Sequence, residues 1–194
     1  MNQTAVLPQL EAHKLVPVIK LDSPDDALPL AEALITGGLP VAEITFRTDA
    51  ARESICKIRS AYPDMLTGAG TVLSLEQAKA AADAGASFIV SPGMNRDVVE
   101  FSIKNHIPVF PGACTPTEIM AAMEYELEVV KFFPAKQYGG LDTIKALSAP
   151  FPSVRFMPTG GISEANIKDF LAFPKIIACG GSFMASGSLI SQKK

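Results

Sequence analysis

The feature that most constrains the fold is a repeating alternation of short apolar runs and longer helical segments. Several of the helical segments begin with a Ser, Thr, Asn or Asp residue that can cap a helix. The eight runs that we predict as strands span residues 15–20, 41–46, 65–70, 87–92, 107–112, 128–133, 153–160 and 175–181. Such alternation is typical of a parallel sheet covered by helices. Eight units predict an α/β fold of the (β/α)8 TIM-barrel type.

An open, doubly wound sheet is the alternative architecture, and the first strand argues against it. A dinucleotide-binding sheet of that kind carries a glycine-rich turn after its first strand, whereas residues 18–26 contain no glycine. No linker, low-complexity tract or charged block divides the 194 residues. We therefore predict a single domain over residues 1–194.

Composition indicates a globular chain without an electrostatic surface for nucleic acid or membrane. Hydrophobic residues make up 48% of the sequence and charged residues 19%, and the net charge is −3. The N-terminus lacks the basic start and apolar core of a secretion signal. No apolar run approaches the ~20 residues that cross a bilayer. A cytoplasmic location is therefore expected, with no nucleic-acid or membrane partner.

The cysteine and histidine inventory argues against disulfides, zinc and a histidine-based triad. Cys56, Cys114 and Cys179 are odd in number and far apart, as expected in a reducing compartment. The two histidines, His13 and His106, lie in no HxH pattern, and no CxxC pattern occurs near them. Neither histidine lies at a predicted strand end, where a catalytic triad would need it.

The most unusual residue in the predicted strands is Lys131, which interrupts the apolar stretch 127–135. An isolated buried charge is very costly, so this lysine must be solvated, paired or neutral. Alternation puts Val129, Lys131 and Phe133 on one face of the sixth strand. A structural ion pair with a carboxylate such as Glu43 is one interpretation. The other is a nucleophilic amine, because burial disfavours the ammonium form and frees the lone pair that attacks a carbonyl group.

The second predicted strand carries a row of polar side chains on one face. Glu43, Thr45 and Arg47 alternate with three apolar residues, so they are expected to point together into the mouth of the barrel. A carboxylate there can transfer protons, and a guanidinium can bind a substrate carboxylate. We therefore expect functional roles for Glu43 and Arg47.

Glycine pairs follow the seventh and eighth predicted strands, in PTGGIS at 158–163 and CGGS at 179–182. Exposed backbone N–H groups at such turns attract anions, and TIM barrels often bind phosphate after these two strands. Plain tight turns are the alternative. The GAGT sequence at 68–71 is expected to be an ordinary strand-to-helix turn, and residues 115–118 predict a capped helix start. Together with the amine and carboxylate, these features favour carbon–carbon bond chemistry beside a ketone, in a phosphorylated keto acid.

Seven motifs in this order resemble those of the 2-keto-3-deoxy-6-phosphogluconate (KDPG) and 4-hydroxy-2-oxoglutarate (KHG) aldolase family. They are EITFRT (43–48), GAGTV (68–72), SPG (91–93), PGACTPTE (111–118), KFFPA (131–135), PTGGI (158–162) and GGS (180–182). The resemblance implies a (β/α)8 barrel and a class I reaction that needs no metal or cofactor. It also implies pyruvate as a product and a homotrimer as the assembly.

The resemblance also implies roles for individual residues. Lys131 would form the Schiff base and Glu43 would be the general acid and base. Arg47, Thr71 and Thr159 would bind the substrate carboxylate. The phosphate would be bound by Gly160, Gly161, Gly180, Gly181 and Ser182.

The predicted reaction is the cleavage of KDPG to pyruvate and glyceraldehyde 3-phosphate. Within the family, the galactonate-derived epimer and unphosphorylated KHG are alternative substrates. Outside it, the alternatives are an isomerase or synthase of another phosphate-binding barrel, and a non-catalytic barrel that binds a phosphorylated ligand. Chains of this family usually continue further past the GGS motif than the sequence SFMASGSLISQKK does, so the final barrel helix is expected to be short or missing.

Overall fold

The computed structural model describes residues 2–191, in which parallel strands and helices alternate. The strands are β1 Leu15–Ile19, β2 Val41–Thr45, β3 Leu66–Gly70, β4 Ile89–Val90, β5 Val109–Phe110, β6 Val129–Phe132, β7 Arg155–Pro158 and β8 Cys179–Gly181. The α-helices are α1 Leu7–His13, α2 Ala27–Thr36, α3 Ala50–Ala61, α4 Leu75–Asp83, α5 Arg96–Lys104, α6 Pro116–Glu124, α7 Gly140–Ser148, α8 Ile167–Leu171 and α9 Gly187–Ser191.

All eight predicted runs contain a strand, but two strands are much shorter than their runs. β4 and β5 have two residues each. Proline accounts for the short β5, because Pro108 and Pro111 flank it and lack the N–H group that a ladder hydrogen bond needs.

The strands form a curled parallel sheet, which confirms the α/β class. Six of them are hydrogen-bonded in the order β5-β4-β3-β2-β1-β8, and β6 pairs with β7. Three single parallel bridges join these two parts; they pair Gly112 with Lys131, Phe156 with Ile176, and Thr159 with Gly180. Because all the pairs are parallel, the C-terminal ends of the strands meet at one edge.

Apolar side chains cover both faces of this sheet, which explains the nearly continuous apolar runs in the sequence. One set fills the inside of the curl and is called the concave cluster here; its strand residues include Val16, Val41, Leu66, Val90, Phe110, Val129 and Met157. The other set packs against the surrounding helices and includes Ile19, Ile44, Ile89, Val130 and Phe156. Glu43 and Lys131 follow members of the concave cluster by two residues, so they share its side of the sheet.

A helix that the sequence analysis missed, α1, lies across the N-terminal side of the concave cluster. Its Leu7 and Leu10 are buried there. Glu11 on the same helix forms an ion pair with Arg155 of β7. The helix therefore covers the end of the sheet opposite to the edge where the strands end.

Ahead of α1, the buried side chain of Gln3 joins β5 to β6. Its amide nitrogen donates to the carbonyl oxygens of Val109 at 2.8 Å and Val129 at 2.6 Å. Its amide oxygen accepts the N–H groups of Glu128 and Val129, both at 2.9 Å. Gln3 thus supplies hydrogen bonds at the seam where a single bridge, Gly112 with Lys131, joins the strands directly.

One local expectation agrees with the structure. Thr115 caps α6, with its hydroxyl accepting the Glu118 N–H at 3.3 Å and its own N–H donating to the Glu118 carboxylate at 3.0 Å. The expected short final helix stays a prediction, because α9 reaches the last described residue, Ser191. Residues 192–194 lie outside the described part of the chain.

We expect Gln3→Ala to lower the free energy of unfolding by about 2–4 kcal/mol, because each buried backbone group left without a partner costs about 1–3 kcal/mol. Urea unfolding followed by circular dichroism measures this loss. Gln9→Ala removes an exposed glutamine of α1 and is the matched control, with an expected change below about 0.5 kcal/mol. Equal effects of the two substitutions would contradict a special role for Gln3.

Candidate active site

A buried lysine and a buried glutamate face each other inside the curl of the sheet. Lys131 lies on β6 and is 4% exposed, and Glu43 lies on β2 and is fully buried. The lysine Nζ donates to Glu43 Oε1 at 3.3 Å. The ion pair left open by the sequence is therefore present. It also gives the amine a proton acceptor in direct contact, which a lysine nucleophile requires.

The surroundings of this pair are apolar on one side and polar on the other. The Phe133 ring lies with its centroid 5.4 Å from Lys131 Nζ. Glu43 Oε2 is buried and has no hydrogen-bond partner among the described residues. Buried carboxylate oxygens normally accept hydrogen bonds, so this atom is suited to accept one from a hydroxyl group of a substrate.

Arg47 is held at the same edge by its neighbour Thr45. The Thr45 hydroxyl donates to the carbonyl oxygen of Ile19 at 2.9 Å and accepts the Arg47 Nε–H group at 3.1 Å. Within residues 2–191, no carboxylate lies at ion-pair distance from Arg47. Its guanidinium therefore keeps donors for an anionic ligand.

Thr71 follows directly after β3 in a strained backbone conformation. Its φ is +55°, a region that β-branched residues rarely adopt. The strain fixes the turn between β3 and α4, where the next residue, Val72, donates its N–H to the Val90 carbonyl oxygen at 3.2 Å. The turn expected at residues 68–71 begins only after Gly70, the last residue of β3, and it holds the half-buried Thr71 at a cost in backbone energy.

The two glycine pairs, at the ends of β7 and β8, lie close together in the structure. Thr159 pairs with Gly180 through a parallel bridge, and its buried hydroxyl has no partner among the described residues. Gly160 and Gly161 adopt positive φ angles of 94° and 76°. In residues 2–191, their N–H groups meet no hydrogen-bond acceptor. Consecutive free N–H groups of this kind form an anion-binding concavity.

Gly180, Gly181 and Ser182 lie beside the loop after β7, because Thr159 is bridged to Gly180. The two glycines are buried in β8 and Ser182 is exposed directly after it. The residues predicted for phosphate binding therefore lie in the loop after β7, at the end of β8 and directly after β8. Their roles stay predictions.

Sequence reasoning missed two contributors to this edge. The Phe133 contact with the lysine was missed, although alternation had placed both residues on one side. Lys136 was missed entirely: its aliphatic stem lies so close to Gly161 that a Cβ atom on that glycine would be 3.0 Å from Lys136 Cδ. The approach follows from the hydrogen bond between Lys136 N–H and the Gly160 carbonyl oxygen at 3.0 Å. No local sequence signal predicts such a tertiary contact.

Two of the three cysteines, Cys114 and Cys179, are partly or fully buried. Burial raises the pKa of the Cys114 thiol and raises that of Cys179 to about 12, so both thiols remain protonated and weakly nucleophilic near neutral pH. No group of three or more His, Cys, Asp or Glu residues between 2 and 191 is arranged to hold a metal ion. None of the helices described there is long and apolar enough to span a membrane.

Parallel strands with a buried lysine–carboxylate pair, and with free backbone N–H groups in an adjoining loop, form the kind of site expected of an α/β enzyme. The family model for KDPG and KHG aldolases matches residues 6–194, and the chain belongs to this family. The prediction of an aldolase is thereby confirmed.

Similar proteins support this assignment over nearly the whole chain. The 2-dehydro-3-deoxy-phosphogluconate aldolase of Treponema pallidum is 48% identical, with 94% of this chain and 87% of that protein covered. The corresponding aldolase of Haemophilus influenzae is 47% identical, with 95% and 87% covered. The crystal structure of KDPG aldolase from Legionella pneumophila, with pyruvate captured as a covalent carbinolamine intermediate, has a TM-score of 0.92 and 38% identity. The matched region covers 96% of this chain and 91% of the Legionella chain.

We expect Thr71→Asn to raise the free energy of unfolding by about 1 kcal/mol. A positive φ costs an ordinary residue roughly 1–2 kcal/mol, and asparagine tolerates this region better. Thermal and urea unfolding measure the change. Thr117→Asn, on the exposed side of α6, is the control and should change the stability by less than about 0.5 kcal/mol. A loss of stability in Thr71→Asn would show that the threonine side chain stabilises its turn more than the strain costs.

Proposed function

We propose that this protein is a class I aldolase that cleaves KDPG to pyruvate and glyceraldehyde 3-phosphate. The observation that carries the proposal is the 3.3 Å contact between the buried Lys131 Nζ and Glu43 Oε1. In an aldolase, a buried amine beside a proton acceptor is suited to attack a substrate ketone. Membership of the KDPG and KHG aldolase family supports the choice of substrate.

In the proposed first half-reaction, Lys131 attacks the C2 ketone of the substrate. Glu43 Oε1 accepts one proton from the Lys131 ammonium group, the neutral amine adds to C2, and a second proton moves from the nitrogen to the former carbonyl oxygen, which gives a carbinolamine. The protonated Glu43 then returns its proton to the carbinolamine hydroxyl, which leaves as water, so that a positively charged iminium forms and the Glu43 carboxylate is regenerated. The carbinolamine captured with pyruvate in the Legionella relative supports this step by similarity.

In the second half-reaction, the iminium is the electron sink for bond cleavage. Glu43, directly or through a water molecule, removes the proton of the C4 hydroxyl group. The electron pair of the C3–C4 bond moves into the iminium to form an enamine, and glyceraldehyde 3-phosphate leaves. Protonation of the enamine carbon regenerates the iminium, and its hydrolysis releases pyruvate and the free Lys131 amine.

Substrate binding is proposed to use the charged and polar groups at the strand ends. Arg47, Thr71 and Thr159 would bind the carboxylate next to C2, since Arg47 has no carboxylate partner among the described residues. The phosphate would lie between the loop after β7, with Gly160 and Gly161, and the C-terminal end of β8, with Gly180, Gly181 and the following Ser182. A dianionic phosphate suits free backbone N–H groups.

We also propose the finer features that the family resemblance implies. The three single bridges support closure of the eight strands into one (β/α)8 barrel and one domain over residues 1–194. A homotrimer, a reaction without cofactor and a cytoplasmic location complete the proposal. The three cysteines are unpaired, as in a reducing compartment.

Reductive trapping tests the covalent step. Treatment with borohydride in the presence of pyruvate should add one pyruvate-derived mass to the chain, located on Lys131 by peptide mass spectrometry. Lys131→Met should lose the adduct and lower kcat/KM by at least about 10³-fold, because the nucleophile is gone. The control Lys104→Met changes an exposed lysine of α5 and should keep both the pyruvate adduct and the original kcat/KM. An adduct on another lysine, or an active Lys131→Met enzyme, would refute the proposal.

The position of Lys136 beside Gly161 provides a test of phosphate recognition. Lys136→Glu should raise KM for KDPG about 3- to 10-fold, because it reverses a charge near a dianionic group in a partly solvated site. KM for KHG, whose far end carries a single carboxylate, should rise less. Lys104→Glu is the matched charge reversal away from the site. Equal changes of KM for the two substrates would indicate that the phosphate binds away from Lys136.

Comparison of kcat/KM for KDPG, its galactonate epimer and KHG determines which substrate the site prefers. No cleavage of any of the three, with no trapped pyruvate, would favour a non-catalytic barrel that binds a phosphorylated ligand. A trapped pyruvate adduct without cleavage of KDPG would favour a different keto acid as the substrate.

A further inference from the structure

We propose that Gly70 is a positioning residue for Glu43: the absence of a side chain at Gly70 creates the space that the Glu43 carboxylate occupies. The inference rests on the proposed role of Glu43 in proton transfer. A Cβ atom built on Gly70 would lie 2.5 Å from Glu43 Cγ and 2.7 Å from Glu43 Cδ, and closest of all to Oε1. Real Cβ atoms do not approach other heavy atoms so closely, so the two side chains exclude each other.

Strand register explains why the carboxylate lies over this glycine. In the parallel β2–β3 pair, Glu43 is opposite Gly68, and Thr45 is opposite Gly70. The Glu43 side chain therefore extends along β3 from Gly68 to Gly70, the next residue on the same face, towards the C-terminal ends of the strands. It reaches the level at which Lys131 approaches from β6.

The backbone at Gly70 has little freedom to move away from a new side chain. Gly70 ends β3, pairs with Thr45, and accepts the N–H of Phe46 at 2.7 Å. Glu43 would have to move instead. The atom closest to the added methyl group is Oε1, which is also the atom that contacts Lys131 Nζ. Gly70→Ala therefore acts on the lysine–carboxylate contact without altering either reacting group.

Gly68 offers a matched control on the same face of the same strand. A Cβ atom there would lie 2.5 Å from Cδ2 of the buried Phe88 ring, and its three nearest atoms all belong to that ring. Phe88 is a member of the concave cluster. The same substitution at the two glycines thus creates similarly close approaches, one to the end of the flexible Glu43 side chain and one to the buried Phe88 ring of the hydrophobic core.

The experiment compares Gly70→Ala and Gly68→Ala for KDPG cleavage, pyruvate trapping and urea unfolding. Gly70→Ala should lower kcat by about 10²-fold or more, the lower range for general acid–base catalysis, while KM changes less than about threefold. Gly68→Ala should lose at least as much stability, because the buried Phe88 ring has less room to move than a carboxylate, and should keep kcat within about threefold. A kcat for Gly70→Ala as high as that of Gly68→Ala would overturn the inference.

A double-mutant cycle with Glu43→Ala adds a readout that a purely structural role would not affect. Without the carboxylate, the methyl group added at position 70 has space, so Gly70→Ala should cause no further loss of kcat and a smaller loss of stability. The double variant should also fold if Gly70→Ala alone does not. Losses that simply add, or a double variant that also fails to fold, would refute the inference. Full activity of Glu43→Ala would refute the proposed catalytic role instead, and the stability coupling would still test the packing.

Discussion

The contact between Lys131 and Glu43 is the interaction on which the rest of the site depends. Both groups are removed from water, and each alone would be a costly buried charge. They come from β6 and β2, which are not neighbours in either hydrogen-bonded part of the sheet. The two side chains can therefore meet only across the inside of a curled sheet. The curl of the sheet brings the two side chains together, and their contact offsets the cost of burying each charge alone.

The two apolar faces of the strands maintain that curvature. The concave cluster fills the inside below the lysine and the glutamate, and the outer positions pack against the helices. Towards the C-terminal ends of the strands the residues become polar: Thr45 ends β2, Thr71 follows β3 and Thr159 follows β7. Alternation selects the side chains that point inward, and their position along the strand separates the hydrophobic floor from the polar upper layer.

Much of this arrangement could be predicted from the sequence, because it depends on local periodicity. Alternation placed Glu43 and Lys131 on inward positions, and the glycine pairs marked the two adjoining loops. What could not be predicted depends on contacts between distant segments. α1 has only seven residues, too few for a convincing helical pattern. In the sequence, Gly70 belongs to a stretch that predicts an ordinary turn. Its structural importance depends on the Glu43 side chain, which comes from another strand.

The hydrogen bonds of Gln3 have a consequence for the order in which the molecule can assemble. Gln3 and Val129 are separated by 126 positions in the chain, so the first described segment cannot reach its binding partners until six of the eight strands have been synthesised. During translation, that segment and α1 therefore remain without all of their final contacts until β6 has been synthesised. The seam that carries Lys131 is therefore among the most non-local parts of the fold, and non-local pairings of this kind slow folding because the intervening chain must be ordered first.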